Sequence, residues 1–299
     1  MSVVIKKRLQ VKHNRPSIVF IVGPTASGKS GLAMRVAQEY GGEIICADSQ
    51  TVRTGLDIGT AKPSKVDQTA VPHHMLDVIG PYDRYSVAQF KSDAEKVIQA
   101  VMHRGRLPIV VGGTGLYIDA LLYDFRFRGS SSSYSRGQLE AMNVEQLQEI
   151  IKTHNYTPPE NYQNPRHLVR TIESQGKPSE REAIRGGAVV IGIDPGPETL
   201  LMRITDRVEH MVENGFLEEV ERVIARYGMP PQQFDAIGYK IALDNRLSKG
   251  VYNIEAIKEQ FIASDRKYSK RQRTWLKRNE DILWFEHSDD AYKYVSSLL

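Results

Sequence analysis

The sequence predicts an α/β protein built on a doubly wound parallel sheet, with a small all-helical insertion between two of its strands. Three observations carry this expectation. Six short apolar runs, at 18–22, 43–47, 75–79, 108–112, 189–193 and 282–285, are mostly rich in Val and Ile on both faces, as strands covered by helices on both sides are. Amphipathic helical patterns alternate with these runs. A glycine-rich loop follows the first strand and opens the first helix, at the strand end where such sheets bind ligands.

Taken in order, the 18–22 run leads into Gly23-Pro24-Thr25-Ala26-Ser27-Gly28-Lys29-Ser30, a match to G-x-x-x-x-G-K-[ST]. Its glycines let backbone N–H groups curl round phosphate oxygens. Lys29 supplies a point charge, Ser30 a hydroxyl for Mg²⁺, and the helix that follows the positive end of its dipole. The fold expected is therefore P-loop NTPase-like, and a phosphate-bearing ligand is expected with it. Residues 30–40 continue as a helix, with Leu32, Ala33, Val36, Ala37 and Tyr40 on one face.

The 43–47 run passes directly into Asp48-Ser49-Gln50. A carboxylate at this strand end faces the phosphate loop, where it can hold Mg²⁺ or take a proton from a nucleophile. The alternative is an Asp that caps the next turn. After the 75–79 run, residues 87–102 read as a helix on the face of Phe90, Ala94, Val97 and Val101. The 108–112 run ends in Gly112-Gly113-Thr114-Gly115, where two glycines permit close backbone approach and Thr114 offers a hydroxyl at the same edge. His73-His74 is weak as a metal site, because adjacent side chains in an extended chain point opposite ways and no Cys or clustered carboxylate joins them. Cys46, the single cysteine, sits in an apolar run and reads as a small core residue. It excludes an internal disulfide and a Cys-based zinc site.

Residues 126–187 differ in texture. Gly129 and Ser130–Ser133 have linker composition, and the short helical patterns at 144–151 and 166–174 are cut by prolines. Three segments follow: core 1–125, helical insertion 126–187, and core 188–299. In the last of these, 198–227 is a long helical pattern with Asn214-Gly215 as its break. Residues 264–279 carry seven basic side chains against one acid. Arg266, Lys270, Arg273 and Lys277 share one side, and Phe261, Tyr268 and Trp275 form a stripe expected to seat the helix. The bland alternative is a solvated surface; the sharper one is a phosphodiester-binding face. Arg166, His167 and Arg170 add a smaller basic cluster. The total charge is only +4, from 40 Lys and Arg against 36 Asp and Glu, so the concentration is local. No apolar run approaches a membrane span and no signal-peptide core precedes the fold, so a cytoplasmic protein is expected, and a monomer.

At this point the chain resembles the tRNA dimethylallyltransferases, also called tRNA isopentenyltransferases. The resemblance rests on the phosphate loop, Ala-Asp-Ser-Gln at 47–50, Asp-Ile-Gly-Thr-Ala-Lys-Pro at 57–63 and Pro-His-His-Met-Leu-Asp at 72–77. It continues through Tyr-Ser-Val-Ala-Gln-Phe at 85–90, Val-Gly-Gly-Thr-Gly-Leu-Tyr at 111–117, Ile-Gly-Tyr-Lys at 237–240 and Lys-Arg-Gln-Arg-Thr-Trp-Leu at 270–276. It implies transfer of a dimethylallyl group from dimethylallyl diphosphate to N6 of adenosine 37 of tRNA, with Mg²⁺. The loop of Gly23, Pro24, Thr25, Ala26, Ser27, Gly28, Lys29 and Ser30 would then hold a diphosphate leaving group rather than ATP. The same likeness implies that Asp48 is the general base, that Thr114 contacts the reacting end of the diphosphate, and that Asp48, Ser49, Gln50 and Thr51 hold the target base. Gly238, Tyr239, Lys240, Lys270, Arg271, Gln272, Arg273, Trp275 and Lys277 would contact tRNA, with Arg166, His167 and Arg170 in the insertion acting as a clamp on the anticodon arm. In that insertion the family's usual Gln-Arg-x-x-Arg-Ala-Leu-Glu stands here as Arg-His-Leu-Val-Arg-Thr-Ile-Glu at 166–173. A kinase of the nucleoside-monophosphate type would share the loop, the sheet and the insertion, but would leave the basic helix unexplained. An NTP-driven nucleic-acid module would explain that helix but shows no helicase-like motif set.

Overall fold

The computed structural model describes residues 15–123, 125, 134–177, 183–232 and 234–299. The serine-rich stretch at 130–133 and the basic N-terminal residues before Arg15 lie outside them. The chain divides into two compact units, Met1–Leu122 with Arg185–Leu299, and Tyr123–Ile184. The larger unit runs β1 (Ile18–Val22), α1 (Lys29–Tyr40), β2 (Gly42–Ala47), α2 (Lys65–Ala70), β3 (His73–His74), α3 (Val87–His103), β4 (Leu107–Gly112) and α4 (Gly115–Leu122). The smaller unit holds α5 (Arg136–Glu140), α6 (Val144–Thr153) and α7 (Pro165–Glu173). The larger unit resumes with β5 (Ala188–Ile193), α8 (Pro197–Glu213), α9 (Phe216–Tyr227), α10 (Ile237–Asp244), β6 (Arg246–Ser248), β7 (Val251–Tyr252), α11 (Ile254–Leu276), β8 (Leu283–Phe285) and α12 (Ser288–Ser296).

Six strands form one parallel sheet in the order β3-β2-β4-β1-β5-β8. Every residue of β1, β2 and β4 is buried, which is why these strands read as continuous apolar runs and not as alternating ones. The chain leaves β1 toward β2, beyond β4, while β5 adds on the other flank. The carboxyl end of β1 is therefore a topological switch point, the crevice where such sheets bind ligands. The first chain return is sealed by Arg185, whose N–H donates to the Leu122 carbonyl (2.8 Å) and whose guanidinium meets Leu121 O and Glu95. Residues from 185 onward thus pack with the sheet, three residues before the predicted core boundary. The smaller unit closes its own core from Leu139, Leu147, Ile151, Leu168, Val169 and Ile172, and each of its helices begins at a side-chain cap: Ser135, Asn143 or Asn164.

Two expectations are corrected. The edge strand is His73–His74, paired with Ile44 and Ile45, and not 75–79. Met75 (φ 64°) and Asp77 (φ 55°) adopt left-handed backbone, which ends a strand. Phe261, Tyr268 and Trp275 are only part of the face that seats the basic helix, whose bounds also differ. Its buried face is Ile257, Phe261, Asp265, Ser269, Gln272 and Leu276. Trp275 lies five full turns from the buried Ile257 and so shares its side, yet in the last turn of the helix it is 40% exposed. The helix also starts ten residues earlier than the basic run and stops at Leu276, short of Asn279. Sequence reasoning passes over the β6–β7 hairpin altogether. Its polar strands have no apolar alternation, and Glu221 holds it through Arg246, the Tyr252 hydroxyl and the Gly250 N–H.

Candidate active site

The phosphate loop is shaped by its own residues. Gly23 has no room for a side chain, since a Cβ there would stand 2.5 Å from the Ile193 carbonyl and 2.7 Å from Ser27 Oγ. Gly28 takes φ 94° as the residue before α1, and Ala26 takes φ 63°, so left-handed backbone recurs through the turn. Three contacts brace the loop. Ser27 N–H donates to Pro24 O (3.2 Å), the Arg203 guanidinium donates to Ser27 O (3.0 Å), and the Thr25 N–H donates to Gln272 Oε1 (2.8 Å). Lys29 folds its ammonium onto the Pro24 carbonyl (3.1 Å). Burial lowers its pKa to about 8, against the opposing pull of the Asp48 carboxylate and with the help of Arg207.

Asp48 follows β2 and lines the same cleft, of about 730 Å³, as Thr25 through Ser30. Its Oδ1 accepts the N–H groups of Gln50 (2.8 Å) and Thr51 (3.3 Å). The carboxylate therefore caps the turn after β2 and also lines the cleft with the phosphate loop. Thr114 comes to this place from β4: its Oγ1 accepts the Ser49 N–H (3.2 Å). Tyr268 stands beside Thr114 and Gln272, and burial beside Asp48 pushes its phenol up to about 12. Cys46 lines the cleft as a neutral thiol, its pKa likewise pushed up to about 12 by burial. His73 lines the cleft while His74 turns to Glu43 (2.7 Å), so the two rings diverge.

The opposite wall comes from residues 57–68 and α8, which sequence reasoning does not assign. Arg207, His210 and Asn214 project into the cleft. With Arg203 they stand at i, i+4, i+7 and i+11, a polar stripe on an amphipathic helix, and that spacing is the signal that could have marked them. Arg207 reaches the Thr60 carbonyl (3.5 Å) and stands 3.9 Å from the buried Asp265 of α11.

Predicted RNA contacts separate into two groups. Lys240, Lys270, Arg271 and Lys277 are exposed, as are Arg166, His167 and Arg170 on α7 of the smaller unit. Arg273 and Lys277 are both tied to Asp194 at the end of β5, at 2.9 and 2.8 Å. Gln272 is buried and serves the phosphate loop rather than the surface. Tyr239, 2% exposed, is a core residue whose hydroxyl donates to Glu219, and Gly238 is covered by the Phe261 ring. In this structure the side chains of Gln272 and Tyr239 are thus enclosed, because α10 and α11 turn those faces inward. Trp275 rests against Gly115 and donates to Asp119 (2.9 Å).

Known proteins match this chain along nearly all of it. The family model described as IPP transferase covers residues 51–279. A tRNA dimethylallyltransferase of Staphylococcus carnosus is 35% identical, over 94% of this chain and 95% of its own. That of Geobacillus thermodenitrificans is 37% identical, over 94% and 97%. Among solved structures, the full-length tRNA isopentenylpyrophosphate transferase of Bacillus halodurans superposes with a TM-score of 0.70 at 31% identity, covering 95% of this chain and 97% of that one. A match of that length passes through the turn after Asp48, both walls of the cleft and the basic helix alike, and on it the chain belongs to the IPP transferase family, that of the tRNA dimethylallyltransferases.

Proposed function

We propose that the protein transfers a dimethylallyl group from dimethylallyl diphosphate to N6 of adenosine 37, just 3′ of the tRNA anticodon, and releases diphosphate. The observation that carries this reading is the cleft shared by Asp48 and the phosphate loop. The exocyclic amine of adenine is a poor nucleophile, because its lone pair is delocalised into the ring. A carboxylate that accepts its proton while the C–N bond forms lowers that barrier. Asp48 suits this role, because two backbone amides fix Oδ1 and leave Oδ2 as the oxygen we assign to the proton. As the C–N bond forms, the allylic C–O bond breaks and charge builds on the diphosphate oxygens. The amides of the 23–30 loop, Lys29 and Arg207 are the groups that stabilise it.

Ser30, in the first turn of α1, lines the cleft and carries a hydroxyl, a hard oxygen donor of the type Mg²⁺ takes. Together with diphosphate oxygens it would hold Mg²⁺, which would neutralise charge on the leaving group. Among the described residues, Gln50 Oε1 and Thr51 Oγ1 are buried without a hydrogen-bond partner beside Asp48. Such groups suit the edge of a base flipped out of the anticodon loop. Thr114 steadies this turn through Ser49. We assign the RNA backbone to the exposed basic residues of α11, Arg266, Lys267, Lys270 and Arg271, and to Arg166, His167 and Arg170 of the smaller unit, acting as a clamp. A cytoplasmic monomer completes the reading.

The test is incubation with labelled dimethylallyl diphosphate or ATP, each with and without tRNA. Label should enter tRNA only from the prenyl donor; rapid ATP hydrolysis without RNA would favour a kinase or motor. Asp48→Asn keeps an oxygen for the Gln50 and Thr51 amides and removes the base. Turnover should fall by about 10² to 10⁴ with tRNA affinity little changed; near-normal turnover would remove Asp48 from the mechanism.

A further inference from the structure

The wall of the cleft formed by Asp57 through Lys62 is held from behind by a buried carboxylate. Glu219, on the first turn of α9, is 3% exposed. Its two oxygens accept three consecutive backbone N–H groups, those of Asp57 (3.1 Å), Ile58 (3.0 Å) and Gly59 (3.1 Å), and the Tyr239 hydroxyl donates to Oε1. An ionised carboxylate taken out of water is costly unless its lone pairs are met by donors. Here peptide dipoles and a phenol meet them, and all of the amides come from the same loop. Gly59 is needed for the approach: a Cβ there would lie 2.4 Å from the Phe216 ring and 2.7 Å from the Tyr239 ring.

The far end of the loop is pinned separately. Lys62 donates to Asp57, to Asp77 (2.6 Å) and to the Arg53 carbonyl (2.9 Å). Between the two pins, Ala61 takes left-handed backbone at φ 51°, and the Thr60 carbonyl is presented to Arg207. The position of Arg207 in the cleft is therefore coupled to a hydrogen-bonded knot whose carboxylate and phenol do not themselves line it.

We propose that Glu219 and Tyr239 are a positioning pair that sets the 57–62 wall and, through Thr60 and Arg207, the diphosphate end of the cleft. The Tyr239 side chain then serves the prenyl donor and not the RNA. This rests on the proposed function above, so the probe is inorganic diphosphate binding, which is independent of transfer.

Tyr239→Phe removes one hydroxyl and keeps the ring between Phe216 and Phe234. Glu219→Gln keeps one acceptor but turns an –NH₂ toward backbone donors. Losing one hydrogen bond to a buried charge corresponds to about a tenfold effect. Diphosphate affinity and the KM for dimethylallyl diphosphate should accordingly worsen about tenfold in Tyr239→Phe and further in Glu219→Gln. The kcat at saturating donor and the tRNA affinity should change less than about threefold. The double variant should be little worse than Glu219→Gln alone, because both changes act through one carboxylate. In the wild type, the amides of 57–59 should exchange with deuterium as slowly as those of the sheet. That measurement tests the knot even if Glu219→Gln does not fold. Weakened tRNA binding with unchanged diphosphate binding in Tyr239→Phe would make Tyr239 an RNA contact and overturn the proposal. So would unchanged diphosphate binding in both variants, or fast exchange at 57–59. A wild-type protein that binds no diphosphate would instead overturn the functional reading beneath it.

Discussion

The ammonium of Lys29 carries the most quantitative consequence of the cleft. Burial under the phosphate loop lowers its pKa from 10.5 to about 8, equivalent to about 3 kcal/mol against the charged form. A bound diphosphate restores the charge, so binding above pH 8 must draw a proton from solution. If only the charged form binds well, the apparent dissociation constant is flat below pH 8. It should be about tenfold weaker at pH 9 and approach a hundredfold at pH 10. The ligand adds no slope of its own above pH 8, since a terminal phosphate with a pKa near 6 is fully ionised there. Isothermal titration of dimethylallyl diphosphate without tRNA from pH 6.5 to 10, in two buffers of different ionisation enthalpy, measures the affinity and the protons taken up together. About one proton per site is expected at pH 9, and close to none from Lys29 at pH 7. Lys29→Met should bind weakly at every pH, without this slope or proton uptake above pH 8. The contribution of Lys29 to folding runs the other way. A folded pKa below the unfolded value means that the buried charge costs stability below pH 8, and that this cost fades as the pH rises from about 8 toward 10.5. Affinity that stays flat to pH 9.5 with no proton uptake would refute the argument, because an ammonium with an ordinary pKa behaves that way.

Three further outcomes follow from packing and charge. Gly113→Ala places a Cβ 2.4 Å from Gln272 Nε2 and 2.8 Å from the Gly23 carbonyl. It should lower stability by about 1–3 kcal/mol and weaken diphosphate binding through the lost Gln272–Thr25 contact. Gly31→Ala in α1 meets nothing within 4 Å and should stabilise by roughly 0.5–1 kcal/mol; thermal melts of the two variants decide. Replacing the exposed Lys267, Lys270 and Arg271 by Ala should weaken tRNA binding and flatten its logarithmic salt dependence by about two to three units. Diphosphate binding should be unaffected, and salt lines parallel to wild type with equal intercepts would place the RNA elsewhere.

The parts of this protein legible from residue order are those whose physics is local. The phosphate loop declares itself because its steric demands fall on its own glycines and its charge on Lys29. The buried strands declare themselves by continuous apolar runs. The break between α8 and α9 declares itself by Gly215, which takes φ 91°. Asp48 was legible because it directly follows a strand whose end must face the loop. Tertiary structure alone decided which polar residues answer one another across the chain. Glu219 binds amides some 160 residues away, Gln272 braces the phosphate loop over 247 residues, and Asp194 holds two of the basic residues that looked like RNA contacts. Periodicity tells which side chains share a face of a helix, but not what that face packs against. Thus Tyr239 and Gln272, which the family likeness offers as tRNA contacts, have side chains that lie inside. A carboxylate such as Glu219 has the same local signature whether it is solvated or meets three buried amides. Only the packing of α9 against the 57–62 loop removes its water and makes those amides its partners.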